Sequence, residues 1–517
     1  MRIMQDQGII FQYKETEEGL TITRATGIPQ GGIVEVPSRL DDKAVISIGY
    51  AAFYACAAAT VRIPEGIRRI EGHAFAQCTG LKELQLPESL REIGRLAFTG
   101  CVSLQHLSIP AGIREIRDEA FSWCRSLRSI SFHCRDAVIG PRAFYFCNAL
   151  TGTLSLHGVS QIGRAAFSAC MALEHLELFP ETRELDSLSF QDCYGLKDIR
   201  FSEGLLQLGD DVFSDCRSLR AAALPDSIIS MGVGTFRDCG QLTAARLPGQ
   251  IRSLPSWTFS NCQVLQRLAL PEGITSIRSF AFFRCPALKT LHLPSTLKTL
   301  EPGALTECGA LRELNLRQVC SLPRHALSYC NSLETLTISS SMKDIRAGAF
   351  NHCPSLTAVI LPAEQGDIRV PFEGAALRWL HTLLSEDHIH SKDLHLVRSD
   401  LSPSQWESFD ALFIHLKRYS VRRDTALWRL SKPNSLTEKA KTRYLSYLRR
   451  QSHRIMSEAV ASDDVTRIGQ MGDLGLIPEK HCDTYVRDAS LAGARCTGYL
   501  INYRRTHSGS LRKRYSL

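Results

Sequence analysis

The sequence predicts an α/β repeat solenoid, a ladder of short parallel strands with short helical turns, followed by a mostly α-helical C-terminal domain. Three observations carry this expectation. From Phe53 to Cys353 a Phe or Leu stands three residues before a Cys fourteen times, at intervals of 22 or 23 residues. Between those pairs the apolar residues keep fixed offsets. From about Phe372 the period is gone and longer helical patterns take its place. A period of this length marks stacked supersecondary units, each hiding its apolar side against the next. Such an array displays one long surface, which points to binding rather than catalysis.

The elements follow in order. Phe11 to Tyr13 and Leu20 to Thr23 flank the polar Glu15, Glu17, Glu18 and Gly19, the pattern of a hairpin. It is expected to cap the N-terminal end of the array over residues 1–32. Val34, Val36 and Pro37 open an irregular first repeat. The register is clearest from Leu81 onward, where Leu84 and Leu86 flank Gln85 in the alternation of a short strand with one buried face. Pro87 ends that strand, because it has no N–H for the next rung. Ile93 and Gly94 read as a second extended segment that ends where the backbone bends tightly. The Ala-Phe-x-x-Cys stretch is expected to be one helical or 3₁₀ turn with Phe and Cys inward, as at Phe98 and Cys101, Phe121 and Cys124, Phe213 and Cys216. About fourteen full repeats run over residues 33–362.

The pattern L-x-x-L-x-L-P-x-x-L-x-x-I-x-x-x-A-F-x-x-C resembles the 23-residue leucine-rich repeat of BspA-like bacterial proteins. That resemblance implies the leucine-rich-repeat ladder of parallel strands. Some BspA-like proteins are surface adhesins that bind host matrix proteins, so it also implies an adhesin or exported effector as an alternative function. Departures are few: Leu305 and Leu327 replace Phe, and Ala222, Ala244 and Ala245 make two strands small.

Composition fits a folded, water-soluble protein, with 44% hydrophobic and 22% charged residues. No apolar run reaches the length of a membrane helix. The segment Met1 to Gln7 lacks the apolar core of a secretory signal, so a cytoplasmic location is expected. A cell-surface or secreted location by another route is the alternative. Fourteen of the 18 cysteines sit in the repeat slot. Stacked at about 4.8 Å with parallel side chains, they are poorly placed for disulfides, which want Cβ atoms roughly 3.8 Å apart. No C-x-x-C pair offers a zinc site, so they read as small buried fillers, and no metal or cofactor is expected. Cys134, Cys320, Cys482 and Cys496 fall outside the slot without an assigned role.

Residues 373–517 read as a basic α-helical domain. Helices are expected after the start signal Ser402-Pro403, through Trp406, Phe409, Leu412, Phe413 and Leu416, and over 374–385, 422–431, 435–460 and 478–505. Val465 to Tyr503 resembles a degenerate ankyrin-type helical hairpin. This segment carries 24 basic and 16 acidic residues, whereas residues 1–372 carry 37 of each. Lys417-Arg418, Arg422-Arg423, Arg449-Arg450, Arg504-Arg505 and Arg512 to Arg514 form a candidate basic surface for an acidic partner or nucleic acid. Solvated helix faces explain the same pairs, and no nucleic-acid fold is recognised. Asp387, His388, His390, Asp393 and His395, with His381, match no zinc signature and read as a polar loop. No phosphate-binding glycine loop or nucleophile elbow occurs, and Gly232 to Gly234 fall in the repeat's turn slot, so no enzyme is expected.

The candidate binding surface is the strand face. Its exposed row is expected to be Arg62, Gln85, Ser108, Ser131, Ser155, Glu177, Arg200, Ala223, Arg246, Ala269, His292, Asn315, Thr337 and Ile360. A protein partner docking along this row is the leading functional expectation. No aromatic stripe lies on it.

Overall fold

The structure is a computed structural model that describes residues 2–6, 8–339, 344–346, 348–356, 358–361, 368–371, 406–407, 410, 413, 419–431, 433 and 435–507. The chain forms two compact units, one of residues 1–334 with 345–355, the other of 335–344 with 356–517.

The first unit opens with strands β1 (Arg2–Asp6), β2 (Ile9–Glu15) and β3 (Leu20–Thr26), antiparallel neighbours in that order. The expected hairpin is β2 and β3; β1, lined up on its outer side, carries no recognised strand signal. Ile9, Phe11 and Tyr13 alternate inward along β2, as one buried face requires. Phe11 meets Phe53, the first ring of the repeat core, edge-on at 6.4 Å. β3 pairs parallel with Lys43–Ile48, so the edge of the N-terminal strands passes directly to the repeats.

Each repeat then makes one coil with three hydrogen-bonded sides. The first side is a short strand, such as Thr60–Arg62 between Ile33–Glu35 and Glu83–Gln85. The second is a two-residue strand, such as Glu92–Ile93 between Arg69–Ile70 and Glu115–Ile116. Those two-residue strands extend one sheet from β1 to Ser230–Met231. Gly94 follows its strand for a reason other than a tight bend. A Cβ there would lie 2.7–2.8 Å from backbone atoms of Ile70, Glu71 and Gly72. Gly140 and Gly163 meet the preceding coil in the same way, at 2.8–3.0 Å. Glycine lets adjacent backbones close up; its φ freedom is not used.

The third side is the Ala-Phe-x-x-Cys stretch. It closes with the three-residue bonds of a 3₁₀ turn, Ala74 N–H to Glu71 O, Ala76 to His73 and Cys78 to Phe75. His73 and Gln77, however, have φ of 56° and 60°, so left-handed residues interrupt the winding and no helix propagates. The intervening geometry frees alternate amides. His73, Phe75 and Gln77 donate to Arg95, Ala97 and Thr99 of the next coil at 2.7–3.0 Å.

Phe and Cys both point inward. Ten consecutive Phe pairs stack from Phe53 to Phe282 with centroids 4.7–5.9 Å apart. Phe98, Phe121, Phe213 and their partners Cys101, Cys124 and Cys216 are fully buried. The three-residue spacing has a specific use. Phe98 O accepts from the Cys101 amide at 3.3 Å and from the Cys124 thiol of the next coil at 3.4 Å. One carbonyl thereby fills both lone pairs, which satisfies a buried polar group. The same thiol-to-carbonyl contact recurs up to Cys353, whose Sγ meets Leu327 O at 3.1 Å. Leu305 and Leu327, fully buried, carry the column on without a ring. Burial pushes Cys193 and Cys285 up to about 12 and Cys353 up to about 11. Outside the slot, Cys134 lies buried with its thiol toward Gly158 O, and Cys320 is exposed.

In the second unit Thr335–Ile338 pairs parallel with Ala358–Leu361, and Ile368–Pro371 turns back antiparallel on the latter. Among the described residues five α-helices follow: α1 (Tyr419–Ser431), α2 (Glu438–Ala461), α3 (Val465–Asp473), α4 (Cys482–Leu491) and α5 (Thr497–His507). Thr437 caps α2 by accepting from the Ala440 amide at 3.2 Å, and Asp464 caps α3 from Arg467 at 2.9 Å. Where one helix is expected over 478–505, α4 and α5 form instead. Gly493 takes φ 63°, and Ala494 N–H bonds back to Ala489 O, the Schellman closure that ends a helix. Tyr444, Leu448, Ile455 and Met456 of α2 meet Phe413, Ile468, Met471, Tyr485 and Leu500 in one apolar core. The expected helix over 374–385 lies outside the described residues.

Candidate binding surface

The strands of the first side hold each predicted row residue in register with its neighbour. Arg62 stands between Glu35 and Gln85, Ser108 beside Ser131, Glu177 between Ser155 and Arg200, Ala223 beside Arg246, Ala269 beside His292, and Thr337 beside Ile360. Asn315 lies outward on Glu313–Leu316. Arg62, Gln85, Ser108, Ser131, Arg200, Arg246, His292 and Asn315 are exposed, and Ser155 and Glu177 are half-buried.

Most strands also expose a second residue, which the sequence reading misses. Glu83, His106, Ser129, Asp198, Ala221, Ala244, Arg267 and Glu313 are exposed one alternation earlier. Leu86 lies beyond the end of its strand and is half-buried, so Leu84 is the single inward residue between two outward ones. The surface is therefore two rows wide. Polar contacts tie the rungs together: His106 Nδ1 lies 2.8 Å from Ser129 Oγ, and His175 Nδ1 lies 2.7 Å from Asp198. Arg62 pairs with Glu35 and Arg200 with Glu177, each at 2.9 Å, and Arg246 pairs with Asp226. All are at least partly solvated, so each pair adds little stability. Midway along, Ala221, Ala223 and Ala244 leave Arg246 as the one long outward side chain on two rungs.

The basic pairs of the second unit do not present a uniform surface. Arg423 is held between Asp424 and Glu458 at 2.7 Å each, and Arg504 meets Asp483 at 2.7 Å. Arg422 lies over the rings of Phe413 and Tyr447. Arg449 and Arg450 are exposed. Lys417, Arg418 and Arg512 to Arg514, and the His381 to His395 cluster, lie outside the described residues. Among the described residues no group of three His, Cys, Asp or Glu side chains is placed to hold a metal ion. None of their helices is long and apolar enough to cross a membrane.

One titratable contact joins α2 to the start of α4. His453 stacks on His481 at 4.2 Å, with its Nδ1 2.6 Å from Tyr485 Oη. Burial, then the neighbouring His453 and Lys480, hold His481 below its ordinary range. The unfolded chain takes up that proton near pH 6.5 while the folded one resists it, so stability falls as pH drops below that value. The thermal midpoint of the helical unit is expected to be lower at pH 5.5 than at 7.5, and His481→Gln to flatten that slope. An equal slope in the variant would exclude His481 as its source.

Parallel strand ladders, a stacked aromatic interior and an in-register outer face define a leucine-rich-repeat solenoid. The chain belongs to the BspA-type leucine-rich repeat family, whose model matches residues 46–174, 137–266 and 258–370. Among solved structures it is similar to a leucine-rich repeat protein from Bacteroides ovatus, at 24% identity and TM-score 0.58, over 69% of this chain and 94% of that one. A leucine-rich cell surface protein from Faecalibacterium prausnitzii matches at 22% identity and TM-score 0.36, over 75% of this chain and 99% of that one. The pneumococcal vaccine antigen PcpA matches at 17% identity and TM-score 0.33, over 71% and 89%. No curated protein matches.

Proposed function

We propose that this chain is a non-enzymatic scaffold that binds a protein partner along the strand face of its repeat array. The observation that carries the reading is the two-row polar surface, built from consecutive parallel strands in register. A partner laid across it meets a side chain from every rung, and the short side chains at Ala221, Ala223 and Ala244 leave room for a protruding group. The test is affinity capture with the full chain against one carrying charge reversals at Arg62, Arg200 and Arg246. These exposed sites tolerate substitution, so loss of specific partners by the folded variant is expected. An unchanged set of partners would remove these positions from the interface.

The scaffold is further proposed to work in a reducing compartment such as the cytoplasm. Support comes from the seventeen buried free cysteines, which suit a compartment where thiols stay reduced. Recovery of the intact protein from the cell surface on fractionation would reject this location and favour the adhesin or exported-effector alternative.

A further inference from the structure

The outer side of the turns carries a feature that the strand-face reading does not use. Trp123 and Phe146 occupy the slot two residues after the core Phe in adjacent coils, at φ 63° and 62°. Several other coils fill this slot with Gly100, Asp192, Asp215, Asp238 or Asn261, residues suited to left-handed backbone, although Tyr329 and His352 place a second stacked ring pair in it. A bulky aromatic is strained there, and neither ring reaches the core. Instead they stack on each other outside it at 4.4 Å, with Tyr145 edge-on to Trp123 at 5.8 Å. All three rings are only half-buried.

Guanidinium groups surround them. Arg125 lies 4.9 Å from the Trp123 ring and Arg142 lies 6.0 Å from Tyr145. Arg164, whose carbonyl accepts from the Arg142 amide, is exposed on the next coil. Elsewhere on this side, an arginine over a ring is also paired with a carboxylate: Arg217 with Asp215, and Arg284 with Glu307. Arg125, Arg142 and Arg164 have no carboxylate partner among the described residues, although Asp118 and Glu119 lie on the adjoining turn. Aromatic rings with unneutralised arginines make up the composition that dominates protein-binding hot spots.

The geometry points to this patch as a second docking site, on the turn side, for a short acidic protein segment. Its carboxylates meet Arg125, Arg142 and Arg164, and its apolar side chains lie on Trp123, Tyr145 and Phe146. Three coils about 4.8 Å apart suit a few extended residues. Acidic residues further along the same side favour a peptide over nucleic acid. In later copies of the slot Asp215 and Asp238 pair with Arg217 and Arg237, so the positive charge there is already neutralised and would not hold a phosphate chain that continued along it.

The test uses the full chain and three fluorescent probes at physiological salt: a peptide of alternating Glu and Tyr, its Gln and Tyr counterpart, and a short oligothymidylate. The acidic peptide is expected to bind, and Arg125→Glu with Arg142→Glu to weaken it about tenfold or more. Both sites are exposed, and an unchanged thermal midpoint would show that the fold survives. Arg267→Glu on the strand face is expected to leave this binding unchanged, which separates the patch from the strand-face proposal. Equal binding of the Gln peptide, binding insensitive to the Arg125 and Arg142 reversals, binding of oligothymidylate alone, or no binding of any probe would each overturn the assignment.

Discussion

Phe121→Ala is expected to destabilise the repeat array by about 3–5 kcal/mol, the cost of deleting a fully enclosed ring. Phe121 is completely buried, with Phe98 on one side at 5.0 Å and Phe144 on the other at 5.3 Å. Its removal opens a cavity shared by two coil interfaces, and in a repeat array stability is set by those neighbour contacts. Backbone rungs on three sides of the coil limit how far the site can collapse. Urea unfolding of the array, followed by circular dichroism, reads the loss. Tyr54→Ala is the companion, because Tyr54 is 55% exposed beside the core Phe53. It is expected to change stability by less than about 0.5 kcal/mol. Equal effects of the two substitutions would mean that the rings do not form a common interior.

The second large effect lies in the helical unit. Asp410→Ala is expected to cost about 3–5 kcal/mol, because it removes the carboxylate that faces a fully buried guanidinium. Arg429 is fully buried and grips Asp410 with Nε and one terminal nitrogen at 2.8 and 3.2 Å. Tyr444 donates to the same carboxylate at 2.7 Å, and the Arg429 guanidinium lies 4.2 Å from the Trp406 ring. Burial first, and then the Asp410 charge, push the Tyr444 hydroxyl well above its ordinary range, so it stays a donor. The pair Asp410→Leu with Arg429→Met removes both charges together and is expected to recover most of the loss. Thermal unfolding of the parent, Asp410→Leu, Arg429→Met and the double variant closes this cycle. A single variant as stable as the parent would show that the Arg429 charge finds water or another acid when Asp410 is gone.

The parts of this fold that repeat are the parts readable from sequence. A Phe-x-x-Cys column is visible because every copy needs the same interior ring and the same thiol for the preceding coil's carbonyl. Where the requirement is a backbone conformation, residue types stop agreeing: the left-handed slot holds Gly100 in one coil and Trp123 in the next. In sequence the turn therefore reads as a short helix, and the aligned Trp123 and Phe146 do not stand out. Gly94 draws notice for the wrong reason, since close approach of two backbones depends on a partner coil that local sequence does not name. The second outward row stays hidden because it precedes the first inward Leu of each strand, as Glu83 precedes Leu84, and polar residues there read as the connection into the strand. In the helical unit, Gly493 marks a helix end but sits within an apolar pattern that runs on past it. No local signal pairs Asp410 with Arg429, because they meet only through tertiary packing.

Native-state alkylation followed by peptide mass spectrometry tests the central claim, that successive coils enclose one dry interior beneath a continuous outer face. Seventeen cysteines are buried and Cys320 alone is exposed, and buried, protonated thiols react slowly. At mildly alkaline pH, iodoacetamide is expected to modify Cys320 and leave the repeat cysteines untouched until denaturant is added. Rapid modification of Cys101, Cys124 or Cys216 in the folded protein, or their recovery as disulfide-linked pairs, would contradict the account.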